Sequence, residues 1–276
     1  MTTRDLKHGQ ICGIAAAGLV LGTLAQPAAA ANIGACQTIS QPGTYTLVNN
    51  LTAANGNCLL VAGSDITIDL NGFTITANPP GAAILNAPRL VLRAITVRNG
   101  YIVGGGIGLG NTDGAVIEDM DVSGNAGGIT LLRGRVERNH VHDGANGGIE
   151  GFEAITAIDN IVVNKQGNGL VSGPGSQIEG NLVGQDGNGI LNAGNANGTV
   201  FVADAIFRDN VAFRNRGLDF GVSCPAILER NVVASPTPNV SVTGGGCIGS
   251  PNQPNFNGTT SSSGAIRVGQ SKGEHR

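Results

Sequence analysis

Apolar and polar positions recur along the chain in a fixed order. The unit is an apolar residue, two polar residues, an asparagine or its substitute, one variable residue, and a second apolar residue. It reads IDLNGF at 68–73, LRAITV at 92–97, IEDMDV at 117–122 and VERNHV at 136–141. It continues as AIDNIV at 157–162, IEGNLV at 178–183, FRDNVA at 207–212 and LERNVV at 228–233. The fourth position holds Asn71, Ile95, Met120, Asn139, Asn160, Asn181, Asn210 and Asn231. A self-similar period of this length marks a repeat architecture, in which each unit buries its apolar face only against its neighbours.

A second series keeps step with the first. After each copy comes a glycine-rich turn and a short apolar strand, whose inward residue is expected to be Ile84, Ile107, Ile129, Ile149, Leu170, Ile190, Leu218 and Val240 in turn. Three short strands per turn predict an all-β, single-domain parallel β-helix of about eight rungs, stacked at ~4.8 Å. Phe73, Val97, Val122, Val141, Val162, Val183, Ala212 and Val233 would then form one buried ladder. Asparagine tolerates left-handed backbone angles at a sharp turn, and stacked asparagines can pair amide to amide. The Asn column Asn71, Asn139, Asn160, Asn181, Asn210 and Asn231 is therefore read as an internal structural ladder.

Composition narrows the class. The 45 glycines are too many for a long helical protein and do not fall on every third position as in collagen. At 41% hydrophobic, the chain can bury a core, and a net charge of −3 gives no basis for nucleic-acid binding.

The ends have their own signatures. Arg4, Lys7 and His8 precede an apolar run from Ile11 to Ala25, and Ala28 to Ala31 follow. This layout predicts a signal peptide over 1–31, cleaved near Ala30 or Ala31, with an apolar run too short for a membrane span. Secretion to the periplasm, the cell surface or the medium follows. Ile33-Gly34-Ala35-Cys36 also loosely resembles a lipoprotein cleavage site, but lies well past the apolar run. Cys12 leaves with the leader. The remaining four cysteines allow three connectivities, of which the sequence-local Cys36–Cys58 and Cys224–Cys247 are preferred. Residues 32–63 are expected to form an N-terminal cap, 64–249 the β-helix, and the Pro-, Asn- and Ser-rich 250–276 a flexible tail. The stretch NAGNANGTV at 192–200 is expected to be an inserted loop.

The Asn column and three-strand rungs, with the opening CQTISQPGTYTLVNNL … DITIDLNGFTITA, resemble right-handed parallel β-helix repeat proteins of the pectin-lyase-like superfamily, exported bacterial type. The resemblance covers about residues 36–248. It implies a right-handed coil with the Asn turn between the second and third sheets, so that the Gly-Ile strands form the first sheet. It also implies that any catalytic groove would lie on the outer face of one sheet. On the first sheet, the flanking pairs taken as outward include Gly148/Glu150 and Gly217/Asp219, and only Glu150 and Asp219 ionise. They are three rungs apart, on the order of 14 Å at ~4.8 Å per rung. Paired glycosidase carboxylates stand about 5–10 Å apart. A calcium-dependent lyase would need several converging carboxylates and a basic residue, which this face lacks. Asn111-Thr112-Asp113 resembles the NTD triplet of polygalacturonases, but the rest of that family's motifs do not follow.

One charged cluster stands apart. Glu118, Asp119, Asp121, Arg133, Arg135, Glu137, Arg138 and Asp143 fall close together with His140 and His142. The repeat stacks Asp121 beside His140 and Glu118 beside Glu137. Paired glutamates raise one pKa, and a carboxylate beside a histidine orients it as a base. Glu118, Asp121, Glu137, Arg138, His140 and His142 are therefore the candidate catalytic residues, against the plainer reading of a solvated face of mutually screening charges. No metal or cofactor is assigned; calcium has no motif behind it. The expected function is a secreted or surface scaffold, non-catalytic and associated with polysaccharide. The alternative is a polysaccharide lyase, hydrolase or epimerase using the 118–143 cluster.

Overall fold

The structure is a computed structural model that describes residues 29–78, 80–124, 127–192, 204–243 and 246–249, with 267–268 as a short strand. It is a right-handed parallel β-solenoid of about nine turns, one more than the repeat count predicts. Every strand pairing among the described residues is parallel, and each strand pairs with its equivalent one turn on.

Three ladders result. The first sheet runs through Leu59–Val61, Ile84–Asn86, Ile149–Gly151, Asn168–Ser172 and Val240–Thr243. The second runs through Gly43–Leu47, Ile66–Asp69, Ile155–Ile158, Ala205–Arg208 and Ala226–Glu229. The third runs through Leu51–Ala53, Thr74–Ala77, His140–Gly144, Ile161–Lys165 and Val211–Phe213. Alternating side chains put one aliphatic residue inward and its neighbour outward on each strand. The inward column of the first sheet, Ile84, Ile107, Ile129, Ile149, Leu170 and Ile190, is fully buried. Each such side chain contributes about 2 kcal/mol of burial, an upper figure set by the extended-chain reference.

The second-to-third corner is where the asparagines stack. Asn139, Asn160, Asn181, Asn210 and Asn231 are all buried. Asn139 Nδ2 donates to Asn160 Oδ1 at 3.0 Å, Asn160 to Asn181 at 2.9 Å, Asn181 to Asn210 at 3.0 Å and Asn210 to Asn231 at 2.9 Å. The residue before each is left-handed: Arg138, Asp159, Gly180, Asp209 and Arg230. Asn71 is not in this ladder. The first of these corners carries extra residues, so Leu70 takes the buried position and Asn71 is exposed on the turn with φ 50°.

The segment LRAITV is likewise not a copy of the repeat. Ile68 pairs with Val97, and Val97 with Ile117, so the true copy is VRNGYI at 97–102, with Gly100 opposite Met120. A Cβ on Gly100 would lie 2.3 Å from Leu70 Cβ, so no larger residue fits there. The buried ladder accordingly holds Ile75 and Ile102, not Phe73 and Val97. In the first sheet Phe220, not Leu218, sits opposite Ile190 and Val240.

The disulfides Cys36–Cys58 and Cys224–Cys247 are present. The segment expected to form the N-terminal cap carries strands that join the ladders: Gln37–Ile39 pairs with Leu59–Val61, and Gly43–Leu47 with Ile66–Asp69. Residues 1–28 of the expected leader lie outside the described residues, while Ala29–Ile33 forms an edge strand on Gly43–Leu47. Residues 193–203 of the inserted segment, and 250–266 and 269–276 of the tail, also lie outside them; Arg267–Val268 pairs with Ile248–Gly249. Among the described residues no helix is long and apolar enough to cross a membrane.

Candidate functional site

The charged cluster divides at the second-to-third corner. Glu118 and Glu137 are in register on the outer side of the second sheet, as the repeat predicts. They do not face each other alone. Arg138, at the corner, binds Asp119 through two hydrogen bonds of 2.8 and 2.9 Å, contacts Glu137, and reaches Glu118 at 3.5 Å. Arg135 also pairs with Glu137. The Arg138 hydrogen bond holds the Asp119 carboxyl below its ordinary range, and Asp119 in turn raises the Arg138 guanidinium.

The same device recurs far from any histidine. Arg230 binds Asp209 through bonds of 2.7 and 2.6 Å at the equivalent corner position. The Asp119–Arg138 pair is thus a corner staple of the fold, and Arg138, Glu118 and Glu137 belong to it.

Asp121, His140 and His142 lie beyond the corner, on the outer face of the third sheet. Asp121 is in register with His140, and Ser123 with His142. His140 and His142 are two apart on one strand, so both project outward. Asp121 Oδ2 is 3.0 Å from His140 Nδ1, and Asp121 Oδ1 is 3.1 Å from His142 Nε2. His142 Nδ1 is 2.7 Å from Asp143 Oδ2. The two rings stack with centroids 4.2 Å apart. Partial burial pulls the His142 pKa down, but the hydrogen bonds to Asp143 and Asp121 outweigh it and the net shift is upward. The hydrogen bond from His142, with Asn164, lowers Asp143.

Some neighbours of this group in the outward columns are apolar. Tyr101 precedes Asp121 in its outward column and Ile161 follows His140; Val103 precedes Ser123 and Val163 follows His142. Tyr101, Val103 and Ile161 are exposed, and Thr74, Thr76 and Ser123 stand in the same columns, so the face around the acid–histidine group is mixed.

The first sheet offers less than its sequence suggests. Most residues that precede an inward one, such as Gly148 and Gly169, are buried at the corner and do not face outward, while Gly106 is half-buried and Asn239 is exposed. Asp219 is buried there too. It accepts Ser235 Oγ at 2.6 Å, Asn215 Nδ2 at 3.1 Å and the Asn239 N–H at 3.0 Å. Glu150 is outward, in a shallow cleft with Gly127, Thr130, Asn146, Gly147 and Asn168. The Asn-Thr-Asp triplet lies on the strand Ile107–Ser123, between its first-sheet and second-sheet pairings. Thr112 is buried, and Asp113 is 3.8 Å from Arg133, which also pairs with Glu153.

Lys165 and Asp186 carry no signal in the repeat. Both are fully buried at the third-to-first corner. The Lys165 N–H donates to Asp186 Oδ1 at 2.7 Å, and the Asp186 N–H to Asn215 Oδ1 at 3.1 Å. Lys165 Nζ and Asp186 Oδ2 have no hydrogen-bond partner among the described residues. Burial lowers the Lys165 pKa and pushes Asp186 up to about 7, against the opposing charges of Lys165 and Arg216. A side chain at Gly144 would collide with Lys165 Nζ. Gly144 borders an open cleft with Asp143, Asn164, Gln166 and Arg216. Only a run of unlike residues at equivalent corners of successive rungs (Lys165, Asp186, Asn215) could have signalled this column, and no repeated letter marks it.

No curated protein and no solved structure matches the chain. The family model described as the right-handed beta helix region matches residues 38–206. That span is well over half of the 276 residues and contains the Asp121–His140–His142 group, and the pectin-lyase-like resemblance is consistent with it. The chain belongs to the right-handed β-helix family.

Proposed function

We propose that the protein is an exported, non-catalytic β-helix scaffold that associates with polysaccharide through its outer surface. One observation carries the reading: Asp219 is turned inward and held by four donors, leaving Glu150 without a second carboxylate in its outward column among the described residues. Acid–base cleavage of a glycosidic bond needs two positioned carboxylates, so that face is better suited to binding. The shallow clefts around Glu150 and Asp143 are lined by amides, glycine backbone and a few charges (Glu150 in one, Asp143 and Arg216 in the other), a chemistry that hydrogen-bonds hydroxyl-rich chains. Two disulfides fit a non-cytoplasmic compartment.

Co-sedimentation with insoluble neutral and acidic polysaccharides tests the binding. Retention that is weakened by E150A and N146A supports the reading. Absence of retention on every polysaccharide contradicts it.

A second reading rests on Asp121 beside His140 at 3.0 Å, a carboxylate-oriented imidazole. It would make the protein a lyase, hydrolase or epimerase. Arg138, Glu118 and Glu137 would not take part, because the corner staple holds them on the second sheet.

A further inference from the structure

The His142 ring has carboxylate oxygens at both nitrogens: Asp143 Oδ2 2.7 Å from Nδ1 and Asp121 Oδ1 3.1 Å from Nε2. A neutral imidazole carries one N–H. If Nδ1–H donates to Asp143, the Nε2 lone pair meets a carboxylate oxygen, and the same Asp121 carboxylate also faces His140 Nδ1. Either a second proton on the His142 ring or a cation held between Asp121 and the two rings removes that repulsion.

We infer that Asp121, His140 and His142 form a binding site for a first-row divalent transition cation of the zinc type, with open positions toward solvent.

Four features support this site independently of the scaffold reading. The ligand atoms, one from each residue, lie within 4.8 Å of one another. Asp121 offers a different oxygen to each ring, Oδ2 at 3.0 Å from His140 Nδ1 and Oδ1 at 3.1 Å from His142 Nε2, and each separation is a few tenths short of the edge of a zinc tetrahedron, about 3.3 Å for bonds of ~2.0–2.1 Å. Two imidazoles and one carboxylate favour a borderline cation over calcium or magnesium, which prefer all-oxygen shells. Asp143 accepting from His142 Nδ1 is the outer-shell contact that fixes the tautomer of a metal-bound histidine and frees Nε2 for the cation. Binding turns the rings out of their stacked arrangement, which is 20° from parallel, so that the two lone pairs converge.

Equilibrium dialysis of the purified, untagged protein against Zn²⁺ at neutral pH, with metal analysis, tests the site. The expected result is one zinc per chain, undiminished by excess Ca²⁺. D143N should weaken it by about 10–100-fold, the range for an outer-shell partner, and H140A or H142A by more. Circular dichroism of each variant reports the fold, and zinc should raise the melting midpoint of the native protein but not of H140A/H142A. No stoichiometric zinc, or zinc retained in H140A/H142A (which keeps His275 in the tail), overturns the site.

Discussion

Asn160 Nδ2 donates to Asn181 Oδ1 at 2.9 Å, and the same oxygen accepts the Asn160 backbone N–H at 3.0 Å. One side-chain atom thus satisfies two buried donors of the rung before it. Asn181 also returns its own Nδ2–H to the Ala157 carbonyl at 2.9 Å. N181A orphans these groups together, at about 1–3 kcal/mol for each unsatisfied buried donor. A loss of several kcal/mol in urea unfolding is expected, against a small loss for N71A on the exposed turn.

Burial lifts the Asp186 carboxyl to about 7 from 3.8. Between those values the folded chain holds a proton that the unfolded chain has released, so stability falls as pH rises from about 4 to about 7. D186N should flatten that dependence while keeping an oxygen for the Lys165 N–H. K165M alone removes one of the two positive charges that act on the buried carboxylate, so a loss of stability is expected above pH 7, and K165M/D186N should recover most of it. Thermal melts from pH 4 to 8 on the three variants check both points.

Each disulfide closes a short loop, with separations of 22 and 23 residues. Loops of that size contribute about 3 kcal/mol each through the unfolded chain. C36S/C58S and C224S/C247S should each lower stability by that order, and a thiol reductant should reproduce both losses in the native protein.

Arg138 and Arg230 occupy equivalent corners with equivalent aspartate partners. R138A and R230A are expected to lower the melting midpoint by the same small amount, and neither should change polysaccharide retention. Loss of retention in R138A alone would assign Arg138 to a ligand site.

The repeat is most legible where its letters are most regular. From Val136 onward each rung carries asparagine at the corner, and the register of Asp121 on His140 and Glu118 on Glu137 follows from spacing alone. The first two rungs mislead for a physical reason. LRAITV has apolar residues at the expected spacing, and the extra turn residues after Leu70 move Asn71 out of the column without changing the letters around it. Phe220 displaces Leu218 because Asp219 folds inward onto Asn215 and Ser235, a turn that only side-chain geometry reveals. The Lys165–Asp186 pair depends on tertiary stacking of unlike residues. The split of the charged cluster depends on which side of a left-handed corner each residue lies.

The most direct measurement is a product assay on purified protein incubated with acidic and neutral polysaccharides, with and without calcium and zinc, beside H140A/H142A. A scaffold predicts no new reducing ends and no unsaturated products on any substrate, with retention on at least one polysaccharide. Turnover that disappears in H140A/H142A would contradict the scaffold account and place catalysis at the Asp121–His140–His142 group.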